Sequence, residues 1–351
     1  LSVKISYLQK KLYLFLLVFL SFFTLLYLLI FISLKVFFHS SQKQFKKSTN
    51  SSLIAEPEPI PSSAPLSFSM IVGGDLMFDR HIRTKAETRG SYDFIFDEDL
   101  SNFLNSADYA LANLEGPITQ EKSVSQYSLP GGPGNYTFTF SPEIIPVLQQ
   151  NNLRILNLGN NHILNFGRNG LNSTQEYLEQ ANLVYFGDVG VGEDWQRYSF
   201  LEYFGQKIAL ISYNQFVTEA KNKTLRDLIE VQNQGADLVL LFVHWGNEYV
   251  PTANQSIVNL AYEFIEAGAD LIIGGHPHVV QNKELYQGKT IYYSLGNFVF
   301  DQYFSIETQE GLLLKIDFTF DPDTNNWTYQ IFEQAIQMSK DGVTSLNSIA
   351  N

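Results

Sequence analysis

The chain has 351 residues, 45% of them apolar and none of them cysteine, which leaves room for one large domain or two ordinary ones. Its net charge is −13, but residues 1–65 hold seven lysines and only two glutamates, so the rest carries 16 basic and 34 acidic side chains, a net of −18. These features exclude disulfides, thiolate ligands, a thiol nucleophile and a lipidated cysteine, and they disfavour nucleic-acid binding.

A short basic segment, residues 1–11, precedes the uncharged run LYLFLLVFLSFFTLLYLLIFISL at 12–34. As a helix that run spans about 34 Å, enough to cross a hydrocarbon core of about 30 Å. It is too long for a signal-peptide core and no A-x-A-like cleavage site follows, so a single-pass, uncleaved transmembrane anchor is expected. Lys4, Lys10 and Lys11 lie before it and Lys35, Lys43, Lys46 and Lys47 after it. The positive-inside rule is thus nearly balanced and leans slightly against an external body. Residues 35–65 are polar and then rich in Ser and Pro, which reads as an extended stalk.

The ordered body is expected at 66–340, with a frayed tail at 341–351. Strand-like runs occur at SMIV, YALANL, RILNL, LVYF, KIALISY, DLVLLFV and DLIIG. Helical patterns separate several of them: SPEIIPVLQQNN, GLNSTQEYLEQAN, TLRDLIEVQNQGA and NQSIVNLAYEFIEAGA. In the last, Ile257, Leu260, Ala261, Phe264 and Ile265 share one face and Gly268 ends the pattern. Near the C-terminus the rhythm changes to hairpins, with Gly288 at one turn. Together these predict an α/β fold with a mixed sheet or a two-sheet sandwich flanked by helices.

Four of the six histidines stand where an apolar strand breaks into a polar loop. Imidazole is a common ligand for zinc and iron, and open α/β sheets bind ligands at the carboxyl ends of their strands. In GGDLMFDR, Asp75 follows two glycines that let the chain turn; alone, such an Asp more often caps a turn, and Arg80 more often makes a surface salt bridge. Asn113 and Glu115 end the next strand on one face. In GNNHILNFG, Asn161 offers a hard carbonyl oxygen and His162 a proton for a leaving group, with a structural cap as the alternative. FVHWGNEY carries His244, with Glu248 as a partner for an imidazole N–H or a solvated loop residue. GGHPHVVQ holds His276 and His278 on one stiff turn that aims both rings at one centre. Asn297 and Asp301 shape the rim or serve their own loop.

In this order GDLMFDR, NLEGPIT, NNHILNFGRNGL, VHWGNEY, GGHPHVVQ and YSLGNFVFDQ resemble CapA-type capsule biosynthesis proteins. These are linked to poly-gamma-glutamate and belong to the calcineurin-like metallophosphoesterase superfamily. The resemblance covers about residues 70 to 302. It implies a four-layer αββα sandwich with two central mixed sheets, here preceded by the transmembrane helix, and an extracytoplasmic body on the cell membrane. It implies one or two divalent ions, with Mn, Fe or Zn suited. The implied first set is Asp75, Glu115 and His278; the second is Glu115, Asn161, His244 and His276. His162 would protonate the leaving group and Arg80 would neutralise substrate charge.

Two positions depart from the pattern. Met77 stands where the wider superfamily has a histidine, and a thioether is a poor ligand for a hard ion, so the first set is one imidazole short. Asn165 stands where the capsule branch carries an acid, which removes a charge near His162. The implied function is metal-dependent hydrolysis in capsule synthesis. The alternative is a non-catalytic accessory that binds an anionic polymer or polyglutamate synthase subunits; nucleic acid is not an expected partner.

Overall fold

The structure is a computed structural model that describes residues 66–192 and 195–347. The expected anchor at 12–34 and stalk at 35–65 lie outside the described residues. Among those described, no helix is long and apolar enough to cross a membrane.

The first half of the body runs β1 (Leu66–Leu76), α1 (Arg80–Arg89), α2 (Glu98–Leu104), β2 (Tyr109–Leu114), α3 (Ile144–Gln150) and β3 (Leu153–Asn157). It continues through α4 (Gly167–Gln180), β4 (Val184–Phe186), β5 (Tyr198–Tyr203), β6 (Gln206–Asn214), α5 (Ala220–Asn233) and β7 (Leu238–His244). Then come α6 (Gln255–Glu266), β8 (Leu271–Gly275), β9 (Lys283–Tyr286), β10 (Lys289–Tyr292) and β11 (Asn297–Val299). The hairpin of β12 (Glu310–Asp321) and β13 (Asn326–Met338) and the short β14 (Thr344–Leu346) complete it.

Two mixed sheets result. One has the order β14-β13-β12-β1-β2-β3-β4, with β11 also pairing to β1; the other has the order β5-β6-β7-β8-β10-β9. Strands β1 to β4 run parallel, as do β6, β7, β8 and β10. Every residue of β7 and of β8 is buried, as expected of parallel strands covered on both faces. Between the sheets lies a core that includes Met70, Val72, Leu111, Ile155, Leu210, Leu240, Ile273 and Ile316. A second core joins the first sheet to buried residues of α1, α2, α3 and α4, among them Ile82, Leu100, Val147 and Leu178. A third joins the second sheet to α5 and α6 through Leu228, Val231, Ala261 and Phe264.

The expected strands and the four expected helices are all present, and Gly288 turns the β9–β10 hairpin at φ 77°. The exceptions have local causes. Helix α1 buries only Ile82, Arg83 and Ala86, too sparse an apolar face to show in the sequence. Strand β1 runs on through Asp75, where the sequence suggested a sharp turn at Gly73 and Gly74. Those glycines serve close packing instead: a Cβ on Gly74 would lie 1.9 Å from the Gly296 carbonyl oxygen, and one on Gly73 2.4 Å from the Phe298 ring. The tail expected to fray from 341 forms β14, because buried Thr344 donates its N–H to Ile95 O at 2.7 Å and its hydroxyl to Phe298 O at 2.9 Å.

Candidate metal centre

The carboxyl ends of β1, β2 and β3 in one sheet and of β7 and β8 in the other supply the cleft, as the sheet rule expects. Asp75 lies in β1 in register with Asn113 on one side and Asn297 on the other. Glu115 directly follows β2, and its N–H donates to Leu76 O at 2.9 Å. His244 is the last residue of β7, and His276 follows β8. Gly275 makes the approach feasible, since a Cβ there would lie 2.7 Å from Asp75 Oδ1. His276 and His278 sit at φ 95° and 58°, strained for residues with a Cβ. The surrounding structure holds that strain, and it turns both rings inward.

Asp75, Glu115, His244, His276 and His278 are all buried. His278 Nδ1 is 3.4 Å from Asp75 Oδ2 and His278 Nε2 is 3.7 Å from Glu115 Oε1. His244 Nε2 meets Asn161 Oδ1 at 2.8 Å, and the His244 and His276 ring centres are 4.8 Å apart. One ligand atom from each of Asp75, Glu115 and His278 lies within 4.8 Å of the others, which is the first set that the family resemblance implied. His244 and Asn161, from the second set, are here joined by a hydrogen bond, so a shared ion would take the place of that proton.

Asparagines fix the histidines. Asn113 Oδ1 accepts from Asn157 and Asn160, so its Nδ2 faces Asp75 Oδ1 at 2.8 Å and His244 Nδ1 at 3.4 Å. Asn297 Nδ2 donates to the His278 carbonyl, Gln302 Oε1 and the Thr308 carbonyl, which leaves its Oδ1 to accept from His278 Nδ1 at 2.9 Å. The proton therefore sits on Nδ1 of His278 and frees Nε2 as a ligand, the usual arrangement of a metal-binding imidazole. Asn165 Oδ1 holds His162 Nδ1 at 3.1 Å and also accepts from Phe138 N–H, so this residue orients His162 without an acid's charge.

The electrostatics favour a cation. Both oxygens of Glu115 are buried and have no hydrogen-bond partner, and His276 Nδ1 is likewise unpartnered. Burial raises the Glu115 carboxyl well above its ordinary range, and the charges of Asp75 and Glu248 raise it further. Burial also pushes Asp75 upward, but a hydrogen bond with His278 and the nearby imidazoles outweigh it and hold the carboxyl low. Burial lowers His276 to about 3 and His162 to about 4, and it pushes His244 well below the usual imidazole range. Neutral imidazoles beside Asp75 and an unpartnered Glu115 carboxyl suit a borderline-to-hard divalent ion: the rings are ready to ligate, and the ion would take the place of the Glu115 proton.

Arg80 comes to the rim, at φ 50°, and pairs with Asp301. Its guanidinium lies 5.1 Å from the centre of the Phe138 ring and 5.4 Å from that of Phe300. Phe138 in turn packs on His162 at 4.4 Å and Phe300 on His278 at 4.8 Å. Met77 is fully buried within the core under the α1 to α4 helices, and its sulfur accepts from Asp79 N–H at 3.1 Å. Asp301 and Asn297 thus both act at the cleft, where the sequence favoured roles confined to their loop. Glu248 stands at the mouth, exposed, with His276 and His278.

The sequence pattern of the bacterial capsule synthesis protein PGA_cap matches residues 69–302, which include all of these cleft residues. The chain is 30% identical over 254 residues to the capsule biosynthesis protein CapA of Bacillus anthracis, covering 67% of this chain and 60% of that protein. It is 30% identical over 243 residues to the PGA biosynthesis protein CapA of Bacillus subtilis (strain 168), covering 65% of this chain and 62% of that one. The chain thus spans about three fifths of the length of the curated relatives it matches. Among solved structures, a novel phosphatase from Mycoplasma pneumoniae aligns over 77% of this chain and 94% of its own, at 14% identity and a TM-score of 0.44, too distant to bear on activity. The family match and the CapA relatives agree with the order of motifs in the sequence, and the chain belongs to the bacterial capsule synthesis protein PGA_cap family.

Proposed function

We propose that this protein is anchored in the cell membrane by residues 12–34 and carries its body outside, where the cleft hydrolyses an anionic substrate of capsule synthesis with one or two divalent ions. The observation that carries this reading is the Glu115 carboxylate, buried and unpartnered beside Asp75 and the imidazoles. Asp75, Glu115, Asn161, His244, His276 and His278 would hold the metal. When bound, it would supply Lewis-acid charge and a nucleophile at neutral pH.

The chain's own groups do the rest. Arg80, fixed by Asp301 and by two aromatic faces, holds a positive charge at the rim for an anionic group. His162 rests neutral, because burial lowers its pKa to about 4. It becomes a proton donor only when a substrate anion beside Nε2 restores its proton, while Asn165 keeps Nδ1 in place.

The test is elemental analysis of the purified full chain, with turnover measured on a panel of phosphoesters and amides. Wild-type protein should retain a divalent metal and turn over at least one class, and His276→Ala and His244→Ala should lose both together. Metal content and turnover unchanged in both variants would refute the reading. The second reading, a non-catalytic accessory that binds polymer or synthase subunits, draws on Met77, whose sulfur is engaged in the core and gives no ligand. Metal retained with no turnover on any substrate favours it.

A further inference from the structure

We propose that Glu248 is a metal ligand, closing the cleft from the solvent side together with His276 and His278. The proposal rests on the metal reading above and adds to it a donor that neither the motif order nor the family resemblance supplied.

Three observations carry it. One ligand atom from each of Glu248, His276 and His278 lies within 4.8 Å of the others. Three donors around one ion at ordinary bond lengths of about 2.1 Å stand about 3 to 3.5 Å apart, so the three side chains would draw together on binding. Second, His276 Nδ1 is buried and has no hydrogen-bond partner, so this ring offers a lone pair, or a proton, that nothing in the protein satisfies. Third, the placement of Glu248 is built. Tyr249 N–H donates to the carbonyl of Pro277, the residue between the two histidines, at 2.8 Å. Gln281 Nε2 holds the Val250 carbonyl at 2.7 Å, and Gly246 exchanges hydrogen bonds with the Gln215 side chain in both directions. The Tyr249 hydroxyl accepts from Gln302 Nε2 at 3.1 Å, and Gln302 in turn accepts from the Asn297 amide that holds His278. The loop bearing Glu248 and the turn bearing the two imidazoles are therefore one hydrogen-bonded unit.

The position also answers a deficit. His276 and His278 have no carboxylate of their own on the solvent side, and Glu248 brings one from the loop after β7, on the opposite sheet from Asp75. Because Nδ1 of His278 is committed to Asn297, that ring has one free nitrogen, which serves one ion at a time, either with Asp75 and Glu115 or with Glu248 and His276. Glu248 then gives the outer group a carboxylate of its own, as Asp75 and Glu115 do for the inner one.

The experiment titrates Mn2+ into the metal-free full chain by calorimetry and records the visible spectrum of the Co2+ form, for wild type, Glu248→Gln and Glu248→Asp. Glu248 is exposed, so none of these changes removes core packing. The expected result is that Glu248→Gln loses one equivalent of Mn2+ or binds it at least about tenfold more weakly, with a changed Co2+ spectrum, and that Glu248→Asp falls between. Superimposable Mn2+ isotherms and Co2+ spectra for wild type and Glu248→Gln would overturn the proposal and leave the metal reading intact. Unchanged Mn2+ binding with a lost limb in the pH profile would also overturn it, making Glu248 a proton-transfer group. Wild-type protein that takes up no Mn2+ or Co2+ would overturn this proposal and the metal reading together.

Discussion

At the scale of single residues the cleft is a balance of buried groups that titrate in opposite senses. His162 and His276 fold with pKa values of about 4 and about 3, against an ordinary value of 6.5, so between pH 6.5 and about 4 the unfolded chain takes up protons that the folded one refuses. Each such histidine lowers stability by about 1.4 kcal/mol per pH unit as the pH falls through that window. His244, also lowered, acts in the same direction. Glu115 opposes them, since its raised carboxyl binds a proton in the folded state first. Imidazoles outnumber that single acid, so the metal-free protein should lose stability from pH 6.5 downward, followed by urea unfolding at a series of pH values. His162→Gln should flatten the slope by about 1.4 kcal/mol per pH unit, and an unchanged slope would show that His162 titrates as an ordinary imidazole.

At the scale of elements, one buried aspartate joins a helix to the long loop over the cleft. Asp79 caps α1 by accepting from Arg80 N–H at 2.9 Å and pairs with Arg83 at 3.1 Å. Its other oxygen accepts from Ser125 Oγ at 2.9 Å and Thr139 N–H at 2.8 Å. Asp79→Ala should cost about 3 to 4 kcal/mol, read in denaturant, because it leaves Arg83 buried and two loop donors unpaired. Gly74→Ala should cost about 2 to 3 kcal/mol by the same measurement, since the obstructing atom is the Gly296 backbone oxygen and cannot swing aside. A loss of less than about 1 kcal/mol in either variant would contradict the packing described. These two cases also mark what a sequence discloses. The histidines, Asp75 and Glu115 were legible because each ends an apolar run, a local signal. Helix α1 was not, because its apolar face is sparse, and neither were the loop partners of Asp79 or the grip of Asn113 and Asn297, because they join segments far apart in the chain. Asp75 is flanked by Asn113 and Asn297 only once β2 and β11 have paired with it, contacts separated by 38 and 222 positions in the chain. The sequence offered Glu248 only as a partner for an imidazole N–H or a solvated loop residue; its place beside both His276 and His278 comes from the bond between Tyr249 and Pro277.

At the scale of the whole molecule, the charge of the body bears on the proposed capsule polymer. With 34 acidic and 16 basic side chains from residue 66 onward, the body repels a polyanion over most of its surface. Attraction is then confined to the cleft, through Arg80 and through the ions that its carboxylates and imidazoles would hold. Ordinary polyanion binders weaken as salt rises, because salt screens an attraction. Here salt screens a repulsion between the body and the polymer, while the contacts inside a buried cleft are screened much less. Binding of a polyglutamate oligomer to a 66–351 fragment should therefore hold steady or strengthen between about 20 and about 200 mM salt, where the Debye length falls from about 20 Å to about 7 Å. It should vanish on chelation and in His276→Ala. Fluorescence anisotropy of a labelled oligomer reads all three effects. The fragment leaves out the seven lysines of residues 1–65, which would otherwise add a salt-weakened attraction of their own. Binding that survives the chelator and falls steeply with salt would place the polymer on a basic surface of the body, and the metal cleft would then have some other substrate.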